Sequence, residues 1–269
     1  MATPAALDAV GLVNLIVVPG DPPADLVKTA VAVAEARGAL CIFDPPAGWS
    51  TVALAAAGAE RPEFPRSPNA AAYFPRLAGP GPVRGSAGAV AGVLARFDVL
   101  RGVWTSPAGI EAGLRGVDTL DVEVNDAGSG VLNPLGVNCL RTFAGAGPVV
   151  WGARTTADAD SAWKYVSVRR TALFLEHSLI RGLQWARLEP NDERLWARIR
   201  AEAGGFLDGL LRDVAFTGST PRDAYFVKCD GSTTTQEDLD AGVAHLVVGF
   251  APLRAAEFVT LDLRLATGA

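Results

Sequence analysis

Two carboxylates occupy positions where α/β enzymes often place catalytic groups. Asp21 and Asp44 each follow an apolar run typical of a buried strand, residues 12–20 and the run that starts at Ala39. Ligands of open α/β sheets gather at the carboxyl ends of the strands, so the pair could form an enzymatic or ligand-binding site. Prolines flank both residues, which makes turn chemistry the default interpretation. Both interpretations remain open at this point.

The histidines offer little for acid–base catalysis. His177 lies within a predicted helix beside Phe174, and His245 begins a predicted strand. A general base must lie within hydrogen-bond reach of the group that it deprotonates. Neither histidine belongs to a known nucleophile motif, so both are interpreted as packed, hydrogen-bonded residues.

Motifs of common enzyme and metal sites are missing from the sequence. It contains no P-loop, GxSxG, HExxH or EF-hand motif. Residues 145–147 (Gly-Ala-Gly) come nearest to a dinucleotide fingerprint, but Val150 replaces the third glycine and a strand follows instead of a helix. The three cysteines lie far apart without CxxC spacing, which favours buried thiols in a reducing cytoplasm over disulfides or zinc: Cys41, Cys139 and Cys229.

The composition is that of a globular, acidic protein. The chain has 269 residues, 49% of them hydrophobic and 20% charged, enough for one large or two modest domains. A net charge of −5 argues against nucleic acid as a partner, because duplex binding needs a basic face. No signal peptide follows Met1, and no run approaches the about 18 apolar residues of a membrane helix. We therefore predict a soluble protein without membrane insertion.

Arginines are concentrated on two predicted helices, residues 163–186 and a second helix that Asn191 would cap. Interleaved glutamates favour an ordinary solvated face with pairs within each helix. The alternative is a docking face for an acidic partner, since the forked guanidinium group suits interfaces. The cluster consists of Arg169, Arg170, Arg181, Arg187, Arg194, Arg198 and Arg200.

The last strand alternates with a period of two, at the very end of the chain. Its apolar series is Val259, Leu261, Leu263 and Leu265, and the intervening residues include Phe258, Thr260, Asp262 and Arg264. A terminal strand can complete its own sheet, or it can be donated to the sheet edge of a neighbouring subunit. The pattern alone does not separate these alternatives.

The elements that carry these residues change in type along the chain. Strands alternate with helices up to residue 97, with the helices predicted over residues 25–37, 49–57 and 85–97, which indicates βαβ crossovers and a mostly parallel sheet. An irregular connector follows over residues 101–133, and then strands on both sides of a glycine turn, two helices and three antiparallel strands. We predict a three-layer α/β domain over residues 1–130 and a C-terminal α+β domain over residues 131–269.

In this order, the segments resemble contractile tail sheath proteins, the polymers that surround the tube of contractile phages, R-type pyocins and phage-like injection systems. The resemblance covers nearly the whole chain. It is carried by "GLVNLIVVPG", "CIFDPPAGW", "AAYFPRL", "GAVAGVLARFDVLRGVWTSPAG", "LNPLGVNCLRTF", "GPVVWGART", "TPRDAYFVKCD" and "AEFVTLDLRLA".

The resemblance implies a structural subunit and not an enzyme, with no cofactor, metal or catalytic residue. It implies a central α/β domain that is called subtilisin-like by fold, although this chain lacks a subtilisin-type Asp, His and Ser set. It also implies assembly in the cytoplasm into a phage tail or contractile injection particle. The implied partners are other sheath subunits in a helical homo-oligomer, an inner tube protein, and baseplate or cap proteins.

Family members interlock by exchanging strands through terminal arms, and a helix of their C-terminal unit meets the tube. Carried onto this sequence, the arm or its base would be residues 258–265. The candidates for the tube-facing surface would be the helical arginines, Arg169, Arg170, Arg181, Arg194 and Arg198.

The sequence departs from the family at its start. Sheath proteins carry a substantial N-terminal region, including an arm, before the strand that here begins at Leu12. We therefore expect an N-terminally incomplete central domain, in a fragment or in a shortened paralogue. Two alternatives to the sheath subunit remain: a shortened sheath-like terminator or adaptor, and an α/β enzyme or ligand-binding protein with a site near Asp21 and Asp44.

Overall fold

The computed structural model describes residues 10–253 and 259–268. Their packing divides the chain into two compact units, with the division between Arg170 and Thr171. No helix in the described ranges has both the length and the apolar composition needed to cross a bilayer.

The first unit is built on a five-stranded sheet with the order β1-β2-β3-β6-β7. The first four strands are parallel, and β7 is antiparallel to β6. This arrangement confirms the predicted alternation of strands and helices around a mostly parallel sheet. The strands are β1 Leu15–Val18, β2 Leu40–Phe43, β3 Ala70–Phe74, β6 Val137–Phe143 and β7 Gly147–Val150, and the short strands β4 Leu77–Ala78 and β5 Thr119–Leu120 pair separately.

Helices cover both faces of this sheet. Alternate residues of β2 point to opposite sides: Cys41 and Phe43 join one apolar cluster, and Leu40 and Ile42 join the other. The residues of β2 are therefore apolar at every position, as is typical of a parallel strand buried on both faces. The first cluster is closed by α1 Ala24–Arg37, α2 Val52–Ala59 and α4 Asp126–Leu132, and the second by α3 Ala87–Arg101.

The ends of the helices follow local chemistry that apolar periodicity does not reveal. The prediction for α1 is confirmed, and Gly38, with φ 63°, ends this helix in the left-handed conformation. The predicted start of α2 at Trp49 is wrong, because the hydroxyl of Thr51 accepts a hydrogen bond from Leu54 N at 3.2 Å and caps the helix there. Trp49 instead packs against Phe64 in the core.

The irregular connector contains a helix that the sequence pattern did not predict. In α4 the side chain of Asn125 caps the first turn by accepting from Gly128 N at 2.9 Å. Two glycines within its seven residues give this segment a low intrinsic helix propensity, so tertiary packing of Leu132 decides its conformation.

The strands predicted on both sides of the glycine turn are confirmed as the antiparallel pair β6–β7. The predicted boundary at residue 130 places them in the C-terminal domain, but β6 also pairs in parallel with β3, with Phe74 opposite Cys139. They therefore extend the sheet of the first unit.

The second unit combines helices with a three-stranded antiparallel sheet of order β10-β9-β8. Asp192, and not Asn191, caps α6, because its carboxylate accepts from Arg194 N and Leu195 N. The apolar side of α6 includes Leu195, Ile199 and Leu207. The elements after the first sheet are α5 Val166–Gly182, which begins before the division, a 3-10 helix Gln184–Leu188, α6 Glu193–Arg212, α7 Pro221–Ala224, β8 Tyr225–Lys228, α8 Gln236–Asp240, β9 Val243–Phe250 and β10 Val259–Ala266.

Candidate interaction surfaces

The Asp44 carboxylate is part of the frame of the first unit. Asp44 is 1% exposed; its Oδ1 accepts from Ser86 N at 2.7 Å and Ala87 N at 2.8 Å, and its Oδ2 accepts from Gly20 N at 2.8 Å. It thereby places a negative charge at the positive end of the α3 dipole and ties the end of β1 to that helix. A Cβ at Gly85 would lie 1.6 Å from Asp44 Oδ2, so this close approach requires glycine.

Asp21 holds the neighbouring turn from the solvent side. Its Oδ1 accepts from Ala47 N at 2.7 Å and lies 3.9 Å from Arg76 Nη2. Arg76 in turn donates to the carbonyl groups of Gly20 and Pro45. The geometry of both carboxylates supports the turn interpretation, since main-chain donors occupy the buried one and substrate could not reach it. Within the described residues, no three His, Cys, Asp or Glu side chains are grouped so that they could hold a metal ion.

The three thiols are buried, as predicted. Burial raises the pKa of Cys41 and of Cys229 to about 12, and it also raises the pKa of Cys139. Because the thiolate is the reactive form, these side chains are chemically inert in the folded chain.

The first two arginines of the predicted surface point inward. The Arg170 guanidinium donates to both carboxylate oxygens of Asp98 on α3, at 2.7 and 2.6 Å, and Arg170 is only 6% exposed. Arg169 Nε donates to Asn69 Oδ1 at 3.0 Å, and its guanidinium lies 4.9 Å from the ring centre of Trp163. Arg170 is therefore unavailable to a partner while this ion pair is intact, which corrects its assignment to a solvent-facing surface.

The remaining predicted arginines are exposed on the second unit. Arg181 and Arg194 are exposed. Arg198 lies 3.7 Å above the Trp185 ring and pairs with Glu202 at 3.2 Å and Glu189 at 3.4 Å. The pairing of Arg198 fits the solvated-face interpretation, and the exposure of all three also permits a docking face.

An apolar feature accompanies these arginines that the sequence pattern did not reveal. Leu188, in the 3-10 helix, is almost fully exposed, and Ile180 near the end of α5 is partly exposed. Arg181 and Arg187 adjoin them in the chain and are exposed as well. Periodicity could not identify Leu188, because the helical repeat breaks where the 3-10 turn begins.

The terminal strand completes the sheet of its own unit. It pairs with β9 along its whole length, from Val259 opposite Phe250 to Ala266 opposite Val243. Its other edge has no strand partner among the described residues. The apolar series Val259, Leu261, Leu263 and Leu265 is buried, as the alternation predicts, whereas Phe258 lies outside the described residues. A strand edge without a strand partner is a place to which a strand of another chain can pair.

His245, on β9, contacts the neighbouring strand β10 and the helix α8. Its Nδ1 lies 2.9 Å from Asp262 Oδ1 on β10, and its Nε2 lies 3.2 Å from Asp238 Oδ1 on α8. Hydrogen bonds from the Thr235 hydroxyl and N–H hold the pKa of Asp238 below its usual value, and His245 adds to this effect. The prediction of a hydrogen-bonded structural histidine is confirmed for His245.

Two family models match the chain one after the other. The model of the phage tail sheath protein central domain matches residues 4–156, and that of the phage tail sheath C-terminal domain matches residues 158–266. The tail sheath proteins of Vibrio phage KVP40 and Enterobacteria phage T4 are each 28% identical to it, over 177 and 182 residues. The matches cover 65% and 67% of this chain but 26% and 27% of those relatives, so the chain spans about a quarter of their length.

Solved structures are similar over almost the whole chain. The PVC sheath complex of an extracellular contractile injection system, in its contracted state, is 33% identical with a TM-score of 0.82; the match covers 95% of this chain and 72% of that one. The helical sheath of the anti-feeding prophage, also contracted, is 31% identical with a TM-score of 0.78, at 96% and 71% coverage. A chain of the anti-feeding prophage baseplate is 31% identical with a TM-score of 0.80, at 96% and 70% coverage.

Proposed function

Because the chain belongs to the phage tail sheath family, we propose that it is a structural subunit of a contractile sheath, which polymerises around an inner tube and drives its ejection by contracting. The observation that carries the proposal is the match to the contracted PVC sheath complex, at 33% identity over 95% of this chain. A match this long includes both compact units of the chain. The functional proposal therefore does not depend on the first unit alone, whose α/β fold occurs in many unrelated proteins.

The proposed mechanism needs no chemistry in the subunit itself. An extended sheath stores free energy in its subunit interfaces and releases it when those interfaces move to a second arrangement. The protein accordingly acts without a catalytic residue or cofactor. The geometry of Asp44 supports this, because its carboxylate is occupied by main-chain donors and closed to substrate.

The central unit is proposed to have the subtilisin-like arrangement of the family, supported by its parallel sheet with helices on both faces.

Connections between subunits are proposed to run through strand exchange at β10. This strand lies at the edge of its sheet, and its outer main-chain groups lack a strand partner within the described ranges. Main-chain hydrogen bonds at such an edge join two chains without a large flat interface. Residues 258–265 are therefore the proposed base of a C-terminal arm, with Val259, Leu261, Leu263 and Leu265 anchoring it to the core.

The tube-facing surface is proposed to lie on the second unit, around Arg181, Arg194 and Arg198. Their exposure and the nearby apolar side chain of Leu188 suit a protein partner with an acidic rim. Arg169 and Arg170 are proposed to support this surface indirectly, by fixing the start of α5 through Asn69 and Asp98.

Baseplate proteins are further proposed partners, supported by the match to a chain of the anti-feeding prophage baseplate. Assembly is proposed to occur in the cytoplasm, into a phage tail or injection particle.

Ultracentrifugal pelleting tests the proposal. The purified chain is expected to move into the pellet above a critical concentration, and to do so at a lower concentration when a cognate tube is present. A monomer or small closed oligomer at every concentration, with and without the tube, would contradict the sheath function.

A further inference from the structure

A groove on the first unit lies apart from the surfaces described above. It has a volume of about 460 Å³ and lies between the C-terminal end of α3 and residues 110–115. Leu100 and Ile110 are the exposed apolar residues of its lining, at 71% and 53%, and Val99 beside Leu100 is 86% exposed. Large apolar side chains exposed side by side, next to a groove, are typical of a protein–protein contact.

The groove is cationic, although the chain as a whole is acidic. Arg96, Arg101 and Arg115 line it, with Glu111 as the acidic residue of the lining. The Arg101 guanidinium lies 2.6 Å from the Glu111 carboxylate, whereas Arg96 donates to the uncharged carbonyl of Gly113 at 2.8 Å. Arg115 is exposed. Three arginines against one glutamate leave an excess of positive charge, which favours an acidic occupant.

An acidic segment with the complementary charge lies at the other end of α3. Residues 121–126 contain Asp121, Glu123 and Asp126, all exposed, and neither lysine nor arginine. Asp121 Oδ1 accepts from Arg76 N, just after the carboxyl end of β3, and Asp126 pairs with Arg141 at 2.6 Å. Glu123 is the remaining acidic side chain of the segment.

Within one copy, the groove and this segment do not pair with each other in the part of the chain that the structure describes. Asp44, at the carboxyl end of β2, caps the N-terminus of α3, so α3 begins at the same sheet edge as the acidic segment. The groove begins at Arg96, nine residues after the start of this 15-residue helix and therefore about 14 Å along it at 1.5 Å per residue. Among the described residues, no ion pair joins Arg101 or Arg115 to the acidic segment: Arg101 pairs with Glu111, and Asp126 pairs with Arg141.

We infer that the groove of one copy binds residues 121–126 of a second copy, with Arg115 and Arg101 facing Glu123 and its acidic neighbours. The inference rests on the proposed function, because it requires that copies of this chain assemble with one another. Because the two surfaces differ, the contact is heterologous and joins copies head to tail, as an open helical array requires. It lies on the first unit and is independent of strand exchange at β10.

Reciprocal charge reversal tests the contact by sedimentation velocity. Arg115→Glu and Glu123→Arg are each expected to weaken self-association about tenfold, since like charges then face each other. An equimolar mixture of the two variants is expected to recover wild-type affinity, because every contact between unlike copies then pairs an arginine with a glutamate. Self-association of the wild type is expected to weaken with added salt. Arg61→Glu, at an exposed position elsewhere on the first unit, is the control and is expected to associate like the wild type.

The inference is overturned if the mixture associates no more tightly than either variant alone, if the Arg61→Glu control weakens association equally, or if the wild type remains monomeric throughout. These failures differ from a failure of the sheath function. If the charge-reversal variants self-associate as tightly as the wild type and form tubes normally, the groove contact alone is contradicted. If association is salt-sensitive and the mixture of variants recovers it, but no helical tubes form, the sheath function alone is contradicted.

Discussion

At the scale of single residues, one buried carboxylate connects three parts of the first unit. Asp44 receives main-chain hydrogen bonds from the turn after β1 and from the first turn of α3. Main-chain N–H groups that donate to a carboxylate form charge-assisted bonds, which are stronger than bonds between neutral groups. Asp44, which the sequence offered as a catalytic candidate, therefore stabilises the edge of the sheet.

Substituting Asp44 is expected to be costly for stability. Asp44→Asn removes the charge at the α3 terminus and turns an amide group toward main-chain donors. The free energy of unfolding should fall by about 2–3 kcal/mol, measured by urea denaturation. Asp21→Asn, at an exposed position, is the matched control and should cost less than about 1 kcal/mol. Equal losses in the two variants would contradict the role assigned to Asp44.

The Asp238 carboxylate makes the second unit sensitive to acid. Because its pKa is held below the usual value, the ionised form favours the folded state. Its contribution is present above the ordinary aspartate pKa of about 3.9 and is lost as the pH falls through the lowered value. The melting temperature should therefore drop as the pH falls below about 4, and Asp238→Asn should show a smaller drop. A variant with the same acid sensitivity as the wild type would count against this linkage.

Residue types alone predicted some of these roles and missed others. Scattered cysteines and a lone strand histidine predicted buried thiols and a hydrogen-bonded His245, and both are confirmed. The inward orientation of Arg170 could not be foreseen, since its partner Asp98 lies 72 positions away in the chain. Long-range ion pairs leave no periodic trace in a sequence.

At the scale of elements, period and run length predicted the strands better than the helices. Apolar runs located β1 and β2, and the alternation of β10 predicted which of its side chains are buried. The extension of α3 to Arg101 was missed, because its last turn carries exposed Val99 and Leu100 in place of the polar residues of a surface helix. If the groove contact forms, a neighbouring copy covers these two side chains.

The alternation of β10 leads to a test with an internal control. Leu263 is buried against the second unit, whereas Thr260 faces the solvent on the same strand. Leu263→Ala should lower the free energy of unfolding by about 3 kcal/mol, because it leaves a cavity in the core. Thr260→Ala should change it by no more than about 0.5 kcal/mol. Similar losses at both positions would show that β10 is not anchored through its apolar face.

At the scale of the whole molecule, the order of segments was more informative than any single motif. The sheath resemblance depended on many short stretches in sequence, and two successive family models now match residues 4–156 and 158–266. The groove between α3 and residues 110–115 could not be predicted, since it forms only when distant segments pack. Open strand edges and exposed apolar ends of helices are features that an assembly can use.

Electron microscopy of the purified chain tests the central claim most directly. At high concentration, negatively stained grids should show rings or helical tubes with a central channel, because each copy offers an open strand edge and complementary charged surfaces. Addition of a cognate tube should lengthen them. Uniformly dispersed particles under both conditions would contradict the account of this chain as a sheath-forming subunit.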